Sequence, residues 1–196
     1  MILYTSRKAE MGMGTLIIFI SLILVAAVAA TVLVNTTSAL QNTALSVGRS
    51  TQQEISTAMT IVDVYATDGQ SSSVDNFYTS LRLAAGSSPI KLDDLLVTLT
   101  LHNNSYDYMY SDTVDCDDEN TFTTSAFGAK RILNGTQPTD GYMMRGDMYT
   151  FCVGTDQSVF EGESLRISII PKVGMPVRLF LSTPNIMFSQ RIALYP

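Results

Sequence analysis

The ionisable and sulfur-bearing side chains of this chain form a few groups whose spacing limits what they can do. Asp112, Asp115, Asp117, Asp118 and Glu119 put five carboxylates into eight positions. That density of hard oxygen ligands could hold Ca2+, but the D-x-D-x-D-G spacing and the distant bidentate Glu of a calcium loop are missing, so a solvated acidic loop is the alternative. Cys116 and Cys152 are an even pair. In an oxidising, surface-exposed location they would close a loop worth about 4 kcal/mol by constraining the unfolded chain; otherwise they are two unpaired thiols. The N-x-S/T sequons begin at Asn35, Asn103 and Asn134. Glycans need exposure, which favours Asn103 and Asn134 in expected loops over Asn35, which follows an apolar run.

Catalytic groupings are lacking. The one histidine, His102, shares the more polar face of an expected strand with Thr98 and Thr100 and has no acid–base partner near it in sequence. There is no Ser-His-Asp set, no glycine-rich phosphate loop after a strand and no Cys/His metal spacing. The sequence therefore predicts no enzyme activity and no cofactor beyond a possible Ca2+ and N-linked glycans. The net charge of −6, from 18 acidic against 12 basic residues, argues against a nucleic-acid partner, which would need a basic stripe.

The elements that carry these groups divide sharply by charge. Between Glu10 and Arg49 there is no ionisable residue. Within that gap Leu16 to Val34 is apolar enough and, at about 28 Å as a helix, long enough to cross a bilayer. Thirteen of its 19 residues are large aliphatics or Phe. Each costs about 1.5–3 kcal/mol when left in water, so their sum exceeds the net stability of an ordinary domain. This segment has to be sheltered by lipid or by other apolar helices. Gly12, Gly14, Ser21, Ala26, Ala27, Ala29 and Ala30 allow helices to approach closely.

What precedes the run is not an ordinary secretory signal, in which the basic residues abut the apolar core and cleavage follows it. Here Arg7-Lys8-Ala9 is followed by Glu10-Met-Gly12-Met-Gly before the apolar residues start. The natural cut is after Ala9. It would leave Glu10 as the new N-terminus and keep the apolar helix. Arg7, Lys8, Ala9, Glu10 and Gly12 are the expected processing determinants.

This N-terminus, with LVAAVAATVLVNT continuing it, resembles the archaellins (archaeal flagellins), whose leader is cut by a prepilin-type peptidase. Leu81-Arg-Leu-Ala-Ala-Gly-Ser-Ser-Pro-Ile90 and Pro171-Lys-Val-Gly-Met-Pro176 resemble archaellin segments as well. A type IV pilin usually has Glu at the fifth mature position, where this chain has Gly14, so archaellin is favoured over pilin. The resemblance implies a secreted homo-polymer of many identical subunits in the archaeal flagellum filament, serving motility. It also implies storage of the precursor in membrane lipid and insertion by a membrane assembly platform with its ATPase. The rivals are a type IV pilin-like adhesion filament subunit and a membrane-anchored β-sandwich binding protein.

Beyond the apolar run, Leu40, Ala44, Val47, Ile55, Ala58, Met59, Val62 and Tyr65 recur largely at three-to-four spacing, which predicts one helix from near Met11 to Tyr65, stopped by Asp68-Gly69. Period-two alternation then predicts strands at 77–83, 95–101, 148–153, 165–170, 177–181 and 191–195. The expected class is α+β: a long N-terminal hydrophobic α-helix followed by an antiparallel Ig-like β-sandwich. The expected divisions are a leader at 1–9, a polymerisation helix at 10–67 and an outer domain at 68–196.

Overall fold

The computed structural model describes residues 4–195, with side chains from Met11 onward. Helix α1 spans Tyr4–Ser56. It is followed by β1 (Met59–Thr67), β2 (Ser73–Leu83), β3 (Ile90–Lys91), β4 (Leu95–Thr100), β5 (Ser105–Tyr110), β6 (Ala126–Leu133), β7 (Tyr142–Met143), β8 (Met148–Phe160), β9 (Ser164–Pro171), β10 (Val177–Ser182) and β11 (Arg191–Tyr195). Residues 1–50 and residues 51–196 are separate compact units.

In the first unit the helix forms because residues 11–50 contain no proline and place Gly only at 12, 14 and 48, amid Ala, Leu, Ile and Val. In the second unit β1, β2, β4–β6 and β8–β11 join in the order β10-β9-β4-β5-β6-β8-β2-β1-β11, and β3 pairs with β7. Inward residues of the two halves of this sheet, such as Phe77, Leu81 and Phe151 on one side and Leu99, Tyr108 and Ile167 on the other, merge in one core. Strands alternate as the sequence predicts: Leu95, Val97 and Leu99 are buried while Leu96, Thr98 and Thr100 are partly exposed.

Two expectations are corrected. The helix does not reach Tyr65, because Met59–Thr67 is β1. A register shift between Ile61 and Asp63 puts an extra residue into that strand. Buried Met59, Ile61, Val64 and Ala66 are therefore spaced two, three and two apart, while Val62 and Tyr65, which extend the helical spacing in the sequence, are partly exposed strand residues. Asp68-Gly69 does end an element, but it is this strand: Asp68 adopts φ 70° at the turn into β2. The sheet is also not wholly antiparallel, since β5 and β6 run parallel through Met109–Ala126 and Tyr110–Phe127. The long connection from Ser111 to Ser125 permits the crossover that a parallel pair needs.

Candidate functional site

The apolar stretch of α1 is the feature with the greatest demand for a partner. From Leu16 to Val34 its large side chains are exposed, Phe19 at 62% and Val25 at 69% among them. Within Met11–Val34 the polar side chains are Thr15, Ser21 and Thr31. Each donates its hydroxyl hydrogen back to its own helix, to the carbonyls of Gly12 (2.9 Å), Ile17 (2.8 Å) and Ala27 (2.8 Å). No hydroxyl there is left needing water, so the segment can enter an apolar environment without stranding a donor. From Thr36 onward the hydroxyls of Thr36, Thr43, Ser46 and Ser50 are bonded in the same way, while Leu40, Leu45, Val47 and Ile55 stay exposed.

Where α1 ends, the chain is caught by the two later segments picked out in the sequence. The Ser87 hydroxyl accepts from the Ala58 amide (3.0 Å) and donates to the Ala58 carbonyl (2.9 Å). The Ala84 amide donates to the same carbonyl, and the Met175 amide donates to the Thr57 carbonyl at 2.8 Å. Gly174, at φ +122°, lies so close that an added Cβ would sit 2.7 Å from the Thr57 oxygen. Only glycine tolerates both the dihedral and the approach. Thr57 and Ser87 are buried. These anchor residues have no signature in periodicity; the signal available for them was the resemblance of Leu81–Ile90 and Pro171–Pro176 to family segments.

The segment from Ser111 to Ser125 folds over the outer face of the β6–β8–β2–β1 sheet. Cys116 and Cys152 are joined as a disulfide, with Cα atoms 5.5 Å apart. Cys152 is on the face of β8 opposite the main core and packs with Tyr78 and Val114. The bond thus clips a loop to a sheet and does not cross the core. Gly128 permits the overlay, because a Cβ there would lie 2.4 Å from the Val114 carbonyl oxygen. Tyr65 and Tyr78 stack at 4.9 Å, Phe122 meets Tyr78 edge-on, and the Arg191 guanidinium covers Tyr65 at 3.6 Å. Burial, reinforced by the Glu119 carboxylate, pushes the Tyr78 hydroxyl pKa well above its ordinary value. Burial also raises Tyr65, and Arg191 partly offsets it.

The acidic run serves this loop residue by residue. Asp115 accepts from the Asp117 amide, Asp117 pairs with Lys130, and Asp118 caps a short 3-10 turn at Asn120. Glu119 accepts from the Thr67 and Tyr78 hydroxyls. The structure does not bring Asp112, Asp115, Asp117, Asp118 and Glu119 onto one ion. Among the described residues no three His, Cys, Asp or Glu side chains converge in that way.

A sequence profile of the archaeal-type flagellin family matches residues 9–179. The chain belongs to this family. It is 37% identical over 139 residues to Flagellin B1 of Thermoplasma volcanium, covering 68% of this chain and 56% of that protein, so it spans little more than half of that relative's length. It is 34% identical over 198 residues to Flagellin A2 of Haloferax volcanii, with 91% of this chain and 90% of the relative covered. To Flagellin B1 of Methanocaldococcus jannaschii it is 32% identical over 187 residues, covering 95% and 79%. Its fold is similar to archaeal flagellin FlaB1 from Methanocaldococcus jannaschii (TM-score 0.61, 18% identity, 70% of this chain and 96% of that one). It is also similar to the archaeal flagellum of Methanospirillum hungatei strain JF1 (TM-score 0.70, 14% identity, 94% and 99%).

In this archaeal-type flagellin the processing determinants divide. The side chains of Arg7, Lys8, Ala9 and Glu10 lie outside the described residues, and Gly12 is helical and open. Asn103 and Asn134 are exposed outside the strands, and Asn35 is exposed on α1. His102 is exposed in the β4–β5 connection, just past the strand on which the sequence analysis placed it.

Proposed function

We propose that this archaeal-type flagellin is a structural subunit of an archaeal flagellum filament, polymerising through the apolar helix and serving swimming motility. The observation that carries this reading is the uncharged, solvent-exposed Leu16–Val34 surface, whose hydroxyls are satisfied within the helix. Identical helices provide one another with the apolar shelter that each lacks alone. Lipid and a helix bundle are similarly apolar, so the same segment suits a membrane-held precursor and an assembled core; packing of its small residues favours the core.

Processing after Ala9 by a prepilin-type peptidase would leave Glu10 first, and a membrane platform with an ATPase would insert the subunit. The exposed positions of Asn103 and Asn134 suit N-linked glycans, whereas Asn35 would be covered in the bundle. A catalytic role forms no part of this reading.

Electron microscopy of material shed from cells, with intact mass of its subunits, tests the proposal. Filaments whose subunits begin at Glu10 are expected. Single particles that keep the helix in detergent, or filaments whose subunits retain Met1–Ala9, would overturn it in favour of a membrane-anchored domain or a different maturation.

A further inference from the structure

Charge is arranged unevenly along the strands of the β domain. Strand register puts Thr60, Arg82, Met148 and Leu133 at one end of the β1–β2–β8–β6 sheet, and Thr67, Asn76 and Gly154 at the other. Along β2 these ends are about 20 Å apart.

At the first end a recess of about 600 Å³ is lined by Val62, Leu83 and Leu133 together with Arg82, Arg145 and the buried Asp147, whose carboxylate is occupied by the Gly135 and Met144 amides. Neither guanidinium pairs with a carboxylate among the described residues; Arg145 Nε donates only to the Ser87 carbonyl, at 2.9 Å. At the opposite end a second recess, of about 370 Å³, is lined by Asp75, Glu119 and Asp156 with Phe122. None of these three carboxylates pairs with Lys or Arg among the described residues. Asp156 accepts from the Tyr106 hydroxyl, and Oδ1 of Asp75 is sealed from water with no donor. Three carboxylates without a cationic partner among the described residues thus line the recess, and a cationic donor entering it would find charged acceptors there.

We propose that the Arg82/Arg145 end of one copy docks onto the Asp75/Glu119/Asp156 end of the next, with Arg145 entering the acidic recess. The partner is therefore a second copy of this chain, and the contact rests on the filament reading above. Three points favour that occupant. The complementary charges sit at opposite ends of one domain, so the contact is heterologous and can repeat from copy to copy, as a helical polymer requires. Among the described residues these carboxylates form no metal-binding group, but the two terminal nitrogens of the Arg145 guanidinium, whose Nε is held by the Ser87 carbonyl, can bridge separated acceptors. Phe122 in the recess wall offers a ring on which a guanidinium can stack.

The test uses the full-length chain in a motile host that lacks its own filament subunit. Arg145→Glu alone and Asp156→Arg alone should each cut the pelletable filament fraction roughly tenfold, and the combined swap should restore it to within about twofold of the parent. Single reversals that pellet like the parent, or a swap no better than the weaker single variant, would overturn the contact. A cysteine pair makes the result independent of charge: Arg145→Cys with Asp156→Cys should give a ladder of cross-linked multimers in oxidised filaments, with neither single variant doing so. Absence of the ladder in intact filaments overturns the proposal. If a chelator added to the parent lowers the pelletable fraction as far as a reversal does, a divalent cation fills the recess and the guanidinium contact is wrong. A parent that forms no filaments defeats the filament reading itself.

Discussion

Residues 11–34 and the β domain solve the burial of apolar surface in opposite ways. The β domain alternates apolar and polar positions along its strands and closes its apolar faces on each other, so Phe77, Leu99, Tyr108 and Phe127 are wholly buried in one chain. The helical segment has too little polarity to face water on any side, and its exposed Ile, Leu, Val and Phe residues can be covered only by another molecule. Polar groups follow the same division. In the helix, hydroxyls bond within one turn. In the domain they join residues far apart in sequence on neighbouring strands, as Ser80 on β2 does with Thr150 on β8 at 2.9 Å. One region therefore covers its apolar surface within a single chain, and the other needs a second apolar body to cover it.

Substitutions that affect only one region are the sharpest way to break this division. The largest effect is expected from Val25→Asp, which puts a carboxylate at the centre of the apolar helix at a cost of roughly 3 kcal/mol in every copy. Filaments should vanish from shed material, while the thermal unfolding of the β domain, followed by circular dichroism, stays at the parent temperature. Phe151→Ala should do the reverse. The truncation removes a fully buried ring that packs 4.8 Å from Phe127 and should destabilise the domain by about 3–5 kcal/mol, measured by denaturant unfolding, with membrane association of the precursor unchanged.

Smaller effects sharpen the domain side of the comparison. Cys116→Ser with Cys152→Ser opens a loop of sequence separation 36 and should lower stability by about 2–4 kcal/mol, matched by treating the parent with a thiol reductant. Alkaline pH should act through Tyr78 and Tyr108, whose hydroxyls burial pushes above the ordinary value of 10.0. A raised native pKa means that the contribution is complete below pH 10 and is lost as pH rises beyond it. The domain's melting temperature should therefore fall above about pH 10, and Tyr78→Phe should flatten that decline. The smallest effect is expected at the exposed Lys130–Asp117 pair, where Lys130→Ala should leave the melting curve unchanged.

The helical segment and six of the strands are legible from residue pattern because each depends on a local rule. An uncharged run is conspicuous against any solvated surface, and Leu95–Thr100 or Arg191–Tyr195 alternates with period two. Met59–Thr67 is not legible in that way, since its bulge breaks the period-two alternation and its partly exposed Val62 and Tyr65 continue the apolar spacing of the helix before it. Its Thr, Ile, Val and Tyr content was the remaining hint. Ser105–Tyr110 hides for a different reason: only Tyr108 is fully buried there, and its hydroxyl donates to the Gly154 carbonyl at 2.9 Å. The two cysteines could be suspected of pairing, but not of pinning a loop to the outer face of the sheet.

Composition alone therefore settles that this chain carries a segment needing foreign shelter, because burial cost is a sum over residues and needs no coordinates. Which groups meet is another matter. The capture of Thr57 and Ala58 by Ser87 and Met175 and the parallel pairing of β5 with β6 join residues far apart in sequence. Such contacts depend on strand register and crossover path, which a linear pattern does not contain, and only the folded chain fixes them.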